Sequence, residues 1–252
     1  MKNLYCFYRI SDNFQKTIKE DGTNLIKKKP EYITKENCLN NFVKEFTTEN
    51  LIIIADNVGP NLMKIIEKLI PKEQIITTSY GHGAGSFRKS LEISLNLPED
   101  SYVYYVEDDY LHKNNSRKIL LEGLDIGDYV SLYDHPDKYV NSNEVRNNCQ
   151  GNPKIIDNSE QTRVYLTDTT HWKLTNSTTM TFATNTRILK EDYIDILKFC
   201  SGTFPYDYYM FTNLIENKRR KLITSIPGYS THGETYFLSP LTDWNEVQTN
   251  KK

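Results

Sequence analysis

The run YVYYVEDDY, residues 102–110, limits the possible folds of this chain more than any other segment. Valine and tyrosine at this density predict a strand buried on both faces, as in a parallel sheet. Such a strand cannot keep Glu107, Asp108 and Asp109 inside, because uncompensated carboxylates are too costly to desolvate. The acids therefore belong at the carboxyl end of the strand, the edge at which open α/β sheets bind ligands. Alternation along a strand puts Glu107 and Asp109 on the same side. Two carboxylates with a third beside them suit a hard divalent cation, Mg²⁺ or Mn²⁺. The alternative is an acidic strand-to-loop turn that is merely solvated.

The strands around this run support an α/β fold. Strand-like segments lie at 4–10, 51–58, 74–79, 102–107 and 129–134, with helical patterns between them at 35–48, 60–70, 86–97 and 116–124. That order predicts a mostly parallel central sheet with flanking helices and right-handed crossovers. After residue 134 the character changes. Residues 135–162 read as a long polar loop. RVYLTDTTHWKLT and STTMTFATN then predict an antiparallel pair added to the sheet. A helix at 187–200, another starting near Asp207, a strand at 222–228 and a tail of twenty-odd residues complete the chain. The 252 residues are expected to form one domain, with a nucleotide-binding half at 1–134 and a more variable half at 135–252.

Composition excludes some classes. A net charge of −2 argues against a nucleic-acid backbone as partner. The run KRRK at 218–221 reads as the solvated end of a helix, where cations oppose the dipole. Cys6, Cys38, Cys149 and Cys200 have no paired spacing and read as buried free thiols in a reducing compartment. No apolar run reaches the roughly 20 residues of a membrane span. The start, MKNLYCFYRISDN, is too short and too polar after Ile10 for a signal peptide. A cytoplasmic protein is expected. Eighteen tyrosines offer faces on which sugar rings could stack, but a compositional bias shared with Asn, Lys and Ile is the safer explanation.

Several weaker features point to the same edge. GHGAGSFRKSLEISL, 81–95, follows a strand and opens a helix, so its amides could face an anion and Arg88 a phosphate. It is neither a Walker loop nor a Rossmann fingerprint, and a tight turn plus cap is the plainer reading. Asp56 ends the strand LIIIAD, and Arg9 and Asp12 lie at the end of the first strand. Each alone is an ordinary polar loop residue; together they offer polar groups to one crevice. In TFPYDYYMF, Asp207 sits at a helix start, as a cap or as a general base. In PGYSTHGE, His232 could complete the coordination of a metal held by Asp109.

Taken in order, YRISDN, IIIADN, GAGSFRKSLEI, VEDDYLH, PYDYYM and STHGE make the chain resemble GT-A-fold glycosyltransferases, particularly the small soluble forms of large DNA viruses and phages. The resemblance spans nearly the whole chain. It implies a GT-A-like (Rossmann-like) sheet and a family D-x-D motif that reads here as Glu107-x-Asp109, with Glu in place of the first Asp. By the same likeness Asp109 and His232 hold a divalent metal (Mn²⁺ or Mg²⁺). Arg9, Ser11, Asp12, Asp56, Arg88, Glu107 and Asp108 line the nucleotide-sugar pocket, and Asp207 deprotonates the acceptor in an inverting transfer. The implied partners are a nucleotide-sugar donor, a UDP-sugar first among them, and a glycan or glycoconjugate acceptor; the implied location is the host cytoplasm if the source is viral. Two other readings stay open. A sugar-phosphate nucleotidyltransferase would consume a nucleoside triphosphate and release pyrophosphate. A non-catalytic glycan-binding protein would need neither Asp207 nor His232. Residues 135–175, with Tyr133, His135, His171 and Trp172, are expected to shape the acceptor side, although ordinary hairpin packing accounts for His171 and Trp172 just as well.

Overall fold

The computed structural model describes residues 2–12, 16–18, 24–26, 28–146, 149–157 and 159–249. The first half runs β1 (Leu4–Ser11), a small ribbon of β2 (Lys16–Ile18) and β3 (Asn24–Ile26), α1 (Lys35–Phe46), β4 (Leu51–Asp56), α2 (Pro60–Leu69), β5 (Ile75–Thr78), α3 (Gly83–Ser94), β6 (Tyr102–Glu107), β7 (Tyr110–His112), α4 (Ser116–Leu124) and β8 (Tyr129–Ser131). The second half adds β9 (Val145–Arg146), β10 (Cys149–Gln150), β11 (Val164–Leu166), β12 (His171–Leu174), β13 (Phe182–Asn185), α5 (Thr186–Lys198), α6 (Asp207–Lys218), β14 (Leu222–Ile226), β15 (Ser230–His232) and α7 (Trp244–Thr249). Among the described residues no helix is long and apolar enough to cross a membrane.

A mixed sheet of nine strands in the order β11-β12-β14-β8-β13-β6-β1-β4-β5 draws on both halves of the chain. β1 pairs in parallel with β4 on one side and β6 on the other, so the strand order reverses at β1. In open α/β sheets such a reversal is where a ligand crevice is expected, beyond the carboxyl ends of the strands. β6 is buried on both faces because its side chains alternate between two apolar layers. Tyr104 and Val106 join Leu39, Phe42 and Phe46 of α1, Ile66 of α2 and Leu120 of α4. Val103 and Tyr105 join Phe87 and Leu91 of α3, Leu189 of α5 and Phe211 and Leu214 of α6. Fully burying a Phe or Leu side chain contributes roughly 2–3 kcal/mol, so these two layers fix the sheet between its helices.

The antiparallel elements differ from expectation in their partners. RVYLTDTTHWKLT folds back on itself as the hairpin β11–β12, which joins the sheet through β14. The second segment does not pair with it. β13 instead inserts between β6 and β8, antiparallel to both, because its Phe182 and Ala183 are apolar enough to occupy the middle of the sheet. The segment around Trp244 is no loose tail either. Trp244 is 2% exposed, donates from Nε1 to the Ser239 carbonyl (2.8 Å), and packs with Ile33, Cys38 and Leu111.

The polar stretch 135–162 is held by buried charges. Lys173 Nζ lies 3.0 Å from Asp134 Oδ1 and 3.7 Å from Glu160 Oε2, and Lys138 Nζ donates to Asn176 Oδ1 and Ser177 Oγ, both at 2.7 Å. KRRK is likewise bonded into the protein. Arg220 grips both oxygens of buried Asp192 (2.8 and 2.9 Å), and Lys221 Nζ donates to the Ile126 carbonyl. Cys6, Cys38 and Cys200 are buried free thiols, as expected, while the Cys149 side chain lies outside the described residues.

Candidate functional site

The acids of the opening motif sit where β6 ends. The strand stops at Glu107, and Asp108 and Asp109 form the turn into β7, so strand alternation does not continue through Asp109. The expected pairing of Glu107 with Asp109 on one side is therefore replaced by three acids with three sets of partners. Glu107 turns to Arg9, its neighbour across the parallel pair, with Arg9 Nη2 at 3.3 Å from Oε1. Asp108 accepts the Ser11 amide on Oδ2 (2.9 Å) and meets Lys35 Nζ on Oδ1 (2.5 Å). Asp109 meets Lys29 Nζ at 2.8 Å and His232 Nε2 at 3.2 Å, both on Oδ2.

His232 reaches this motif through strand pairing. β15 lies antiparallel to β7 with His232 opposite Tyr110, which brings the late loop beside the acidic turn. The next residue has to be glycine for the chain to pass. A Cβ at Gly233 would stand 2.6 Å from the Asp109 carbonyl oxygen. Glu234 follows, with Oε1 3.8 Å from His232 Nε2. Burial alone would raise the Asp109 carboxyl; His232, Lys29 and Lys35 outweigh it and hold it well below the usual carboxylate range. Burial pulls the Lys29 ammonium down, but Asp109 and Asp108 reverse this and leave it raised.

Among the described residues, no three His, Cys, Asp or Glu side chains form a ready-made metal cage. The pair Asp109 and His232 nevertheless suits a divalent cation. Two ligands about 2.1 Å from an ion and at right angles to each other stand about 3 Å apart, close to the 3.2 Å between Asp109 Oδ2 and His232 Nε2. An ion held by one or two side chains fills its remaining positions with phosphate oxygens and water.

Asp207 opens α6, near enough to Glu107 and His232 to feel their charges. Its Oδ1 accepts the Tyr208 amide (2.7 Å), and the helix has no side-chain N-cap. Burial raises its pKa to about 7; Glu107 and Asp137 add to the rise, and the Tyr208 amide and His232 oppose it. The residue is half-buried. Asp137 is fixed by His135 Nδ1 (2.8 Å) and by Asn152. Burial raises Asp137, but His135 and Lys138 outweigh it and bring it to about 2.

The remaining candidates are bonded to the frame around this crevice. Arg9 is 5% exposed, donates to the carbonyls of Gly83 (3.3 Å) and Met180 (3.2 Å), and stands over the Phe87 ring. Asp12 Oδ2 accepts the Gly59 amide. Asp56 holds the turn after β5, accepting from Thr78 Oγ1 (2.8 Å), Tyr80 N (2.6 Å) and Gly81 N (2.8 Å). Arg88 donates to the carbonyls of Cys200 and Gly202 and so ties α3 to the loop before α6. The amides expected to face an anion have protein partners: Ala84 donates to the Thr203 carbonyl, Gly85 to His82 Nδ1 and Ser86 to the His82 carbonyl. Tyr133 and His135 stand near His232, in ring contact with it or with Phe237, whereas Trp172 packs into the core and His171 faces out. Sequence reasoning missed Lys29, Lys35, Glu234 and Asp137. Only the spacing of Glu234 two residues after His232 offered a signal, since side chains two apart in an extended segment share a side.

No family model and no curated protein sequence matches this chain. Solved structures do. GalNAc-T7 with UDP, GalNAc and Mn²⁺ superposes with a TM-score of 0.54 at 9% identity, over 92% of this chain and 44% of that one. The fold is GT-A-like. Weaker superpositions reach the 4-diphosphocytidyl-2C-methyl-D-erythritol synthase of Anaerococcus prevotii (TM-score 0.48, 14% identity, 97% of this chain and 92% of that one) and the mannose-1-phosphate geranyltransferase of Thermus thermophilus (0.46, 11%, 88% and 73%). This chain spans less than half of the GalNAc-T7 chain, and likeness at these identities concerns fold alone.

Proposed function

We propose that this protein is a metal-dependent glycosyltransferase that moves a sugar from a nucleotide-diphosphate sugar to a hydroxyl of a glycan acceptor. The observation that carries this reading is the Asp109–His232 pair at the sheet edge where the strand order reverses, with Asp207 near enough for the charge of His232 to act on it. The GalNAc-T7 structure of the same fold holds UDP, GalNAc and Mn²⁺, which supports a UDP-sugar as donor.

Asp109 and His232 are the residues that would hold the cation, with Glu234 beside them. When bound, the ion stabilises the negative charge that builds on the departing diphosphate. Asp207 takes the acceptor proton on its carboxylate as the acceptor oxygen attacks the anomeric carbon. The bond from that carbon to the diphosphate oxygen breaks, and the nucleoside diphosphate leaves with the bonding pair. Attack from the face opposite the leaving group inverts the anomeric centre. A base with a pKa of about 7 suits this step, because it is substantially ionised at neutral pH and still accepts a proton readily. Arg9, Ser11, Asp12, Asp56, Arg88, Glu107 and Asp108 form the frame of the nucleotide side, several of them by holding loops in place. The location that goes with this reading is the cytoplasm, the host's if the source is viral.

The test is a thermal-shift panel of UDP-, GDP-, dTDP- and CMP-sugars, each with and without Mn²⁺. A ligand that binds only the native state raises the melting temperature by mass action. Stabilisation by one nucleotide-diphosphate sugar that requires Mn²⁺ and is lost in Asp109→Ala is the expected result. Stabilisation by a nucleoside triphosphate instead would move the assignment to a nucleotidyltransferase, and no response to either class would leave a binding protein.

A further inference from the structure

Lys29 is built into the acidic motif. Its ammonium lies 2.8 Å from Asp109 Oδ2, the oxygen that also faces His232 Nε2. The backbone that carries it is tied to the loop that carries His232. Thr235 donates to the Lys28 carbonyl from both its amide (2.8 Å) and its hydroxyl (2.9 Å), and Ile33 packs where a side chain at Gly233 would have to go. A second lysine, Lys35, neutralises Asp108 in the same way. The motif thus carries its own counter-cations, one of them on the oxygen a divalent ion would use.

We propose that Lys29 is an internal cation that a divalent ion must displace from Asp109, and that the released ammonium then serves the diphosphate of the donor. This rests on the metal-dependent reading above. An ammonium and a doubly charged ion on one carboxylate oxygen repel strongly at such separations. Lysine is suited to the exchange because its charge rides on a flexible four-carbon stem. A diphosphate adds the negative charge that would hold the displaced ammonium, so ion and nucleotide should each strengthen the binding of the other.

The experiment measures Mn²⁺ binding by the electron paramagnetic resonance of the free ion, with and without UDP. It compares the wild-type chain, Lys29→Met and Lys29→Gln, checks folding by circular dichroism, and uses His232→Ala to confirm the site. Without UDP, both Lys29 variants should bind Mn²⁺ at least about tenfold more tightly than wild type, and UDP should sharpen Mn²⁺ affinity more in wild type than in either variant. Binding in the variants that equals or falls below wild type overturns the proposal. So does an absence of Mn²⁺ binding in every chain with and without UDP; donor-sugar binding measured in EDTA then decides separately whether the transferase reading survives. Two variants guard against one that fails to fold.

Discussion

His232 Nε2 stands 3.2 Å from Asp109 Oδ2 because β15 pairs with β7 and places His232 opposite Tyr110. Two loops distant in sequence are thereby joined through a backbone ladder, and Gly233 lets the chain leave that ladder beside the Asp109 carbonyl. Gly233→Ala puts a methyl group 2.6 Å from that oxygen and 2.5 Å from Ile33 Cγ2. The side chain can yield; the backbone carbonyl cannot without moving the acidic turn. The variant should remain folded, lose about 1–3 kcal/mol of stability in urea denaturation, and weaken Mn²⁺-dependent nucleotide binding at least tenfold in the thermal-shift assay. Unchanged nucleotide binding would show that the position of His232 does not matter to the site.

In the proposed mechanism Asp207 ties catalysis to pH. With a pKa of about 7, the carboxylate needed as base is lost as pH falls below neutrality, so transfer should decline along a single acidic limb near that value. Asp207→Asn should keep donor binding and lose transfer by about 10²–10⁴-fold, the usual contribution of a positioned base. Full activity in that variant would remove Asp207 from the mechanism.

Much of this was legible in the sequence because burial and chemistry coincide in YVYYVEDDY. A two-faced apolar strand must discharge its acids at one end, and the structure has them there. The α/β order and most element positions followed from the same periodicities. Partner choice was harder. Nothing local told STTMTFATN to enter the sheet between β6 and β8 instead of joining its predecessor, because pairing is decided by which edge needs an apolar strand. Trp244 carries no signal in the sequence, since one aromatic in a polar stretch gives no period. Lys29 and Lys35 were passed over because lysines before a helix are ordinary, and their role appears only when Asp108 and Asp109 are brought beside them.

Arg9 joins several elements at this edge through geometry as well as charge. Its guanidinium meets Glu107 at 3.3 Å and also donates to the carbonyls of Gly83 and Met180, which join α3 and the strand after residue 180 to β1. A lysine has one nitrogen and cannot make these contacts together. Arg9→Lys should lower stability by about 2–3 kcal/mol in urea denaturation, since it leaves buried acceptors unmatched. A loss below about half a kcal/mol would show the bonds to be incidental.

A last prediction concerns the platform under the acidic turn. The Asn41 carboxamide accepts the His112 amide on Oδ1 (2.7 Å) and donates from Nδ2 to the His112 carbonyl (2.9 Å), so α1 supplies the hydrogen bonds a neighbouring strand would give β7. The His112 ring is buried against Phe42 and Phe46, with Nε2 2.8 Å from the Tyr104 hydroxyl. Burial lowers its pKa to about 3. The folded chain therefore keeps His112 neutral while the unfolded chain protonates it below about 6.5, and stability from this group falls as pH drops from about 6.5 to 3. Asp207 acts in the opposite direction. Its folded pKa of about 7 lies above the ordinary 3.8, so the folded chain holds the extra proton and stability falls as pH rises through that interval. Between about pH 4 and 6.5 the two slopes oppose each other, one proton against one. Asp207→Asn removes one of them. Its urea midpoint relative to wild type should therefore rise steadily from about pH 4 to 7, and the two chains should converge near pH 4. Asn41→Ala, which strips the His112 backbone of its partners, should cost about 1–3 kcal/mol at every pH and leave that difference curve unchanged. A flat difference between Asp207→Asn and wild type would mean that Asp207 titrates normally and that the crevice is too wet to retune it.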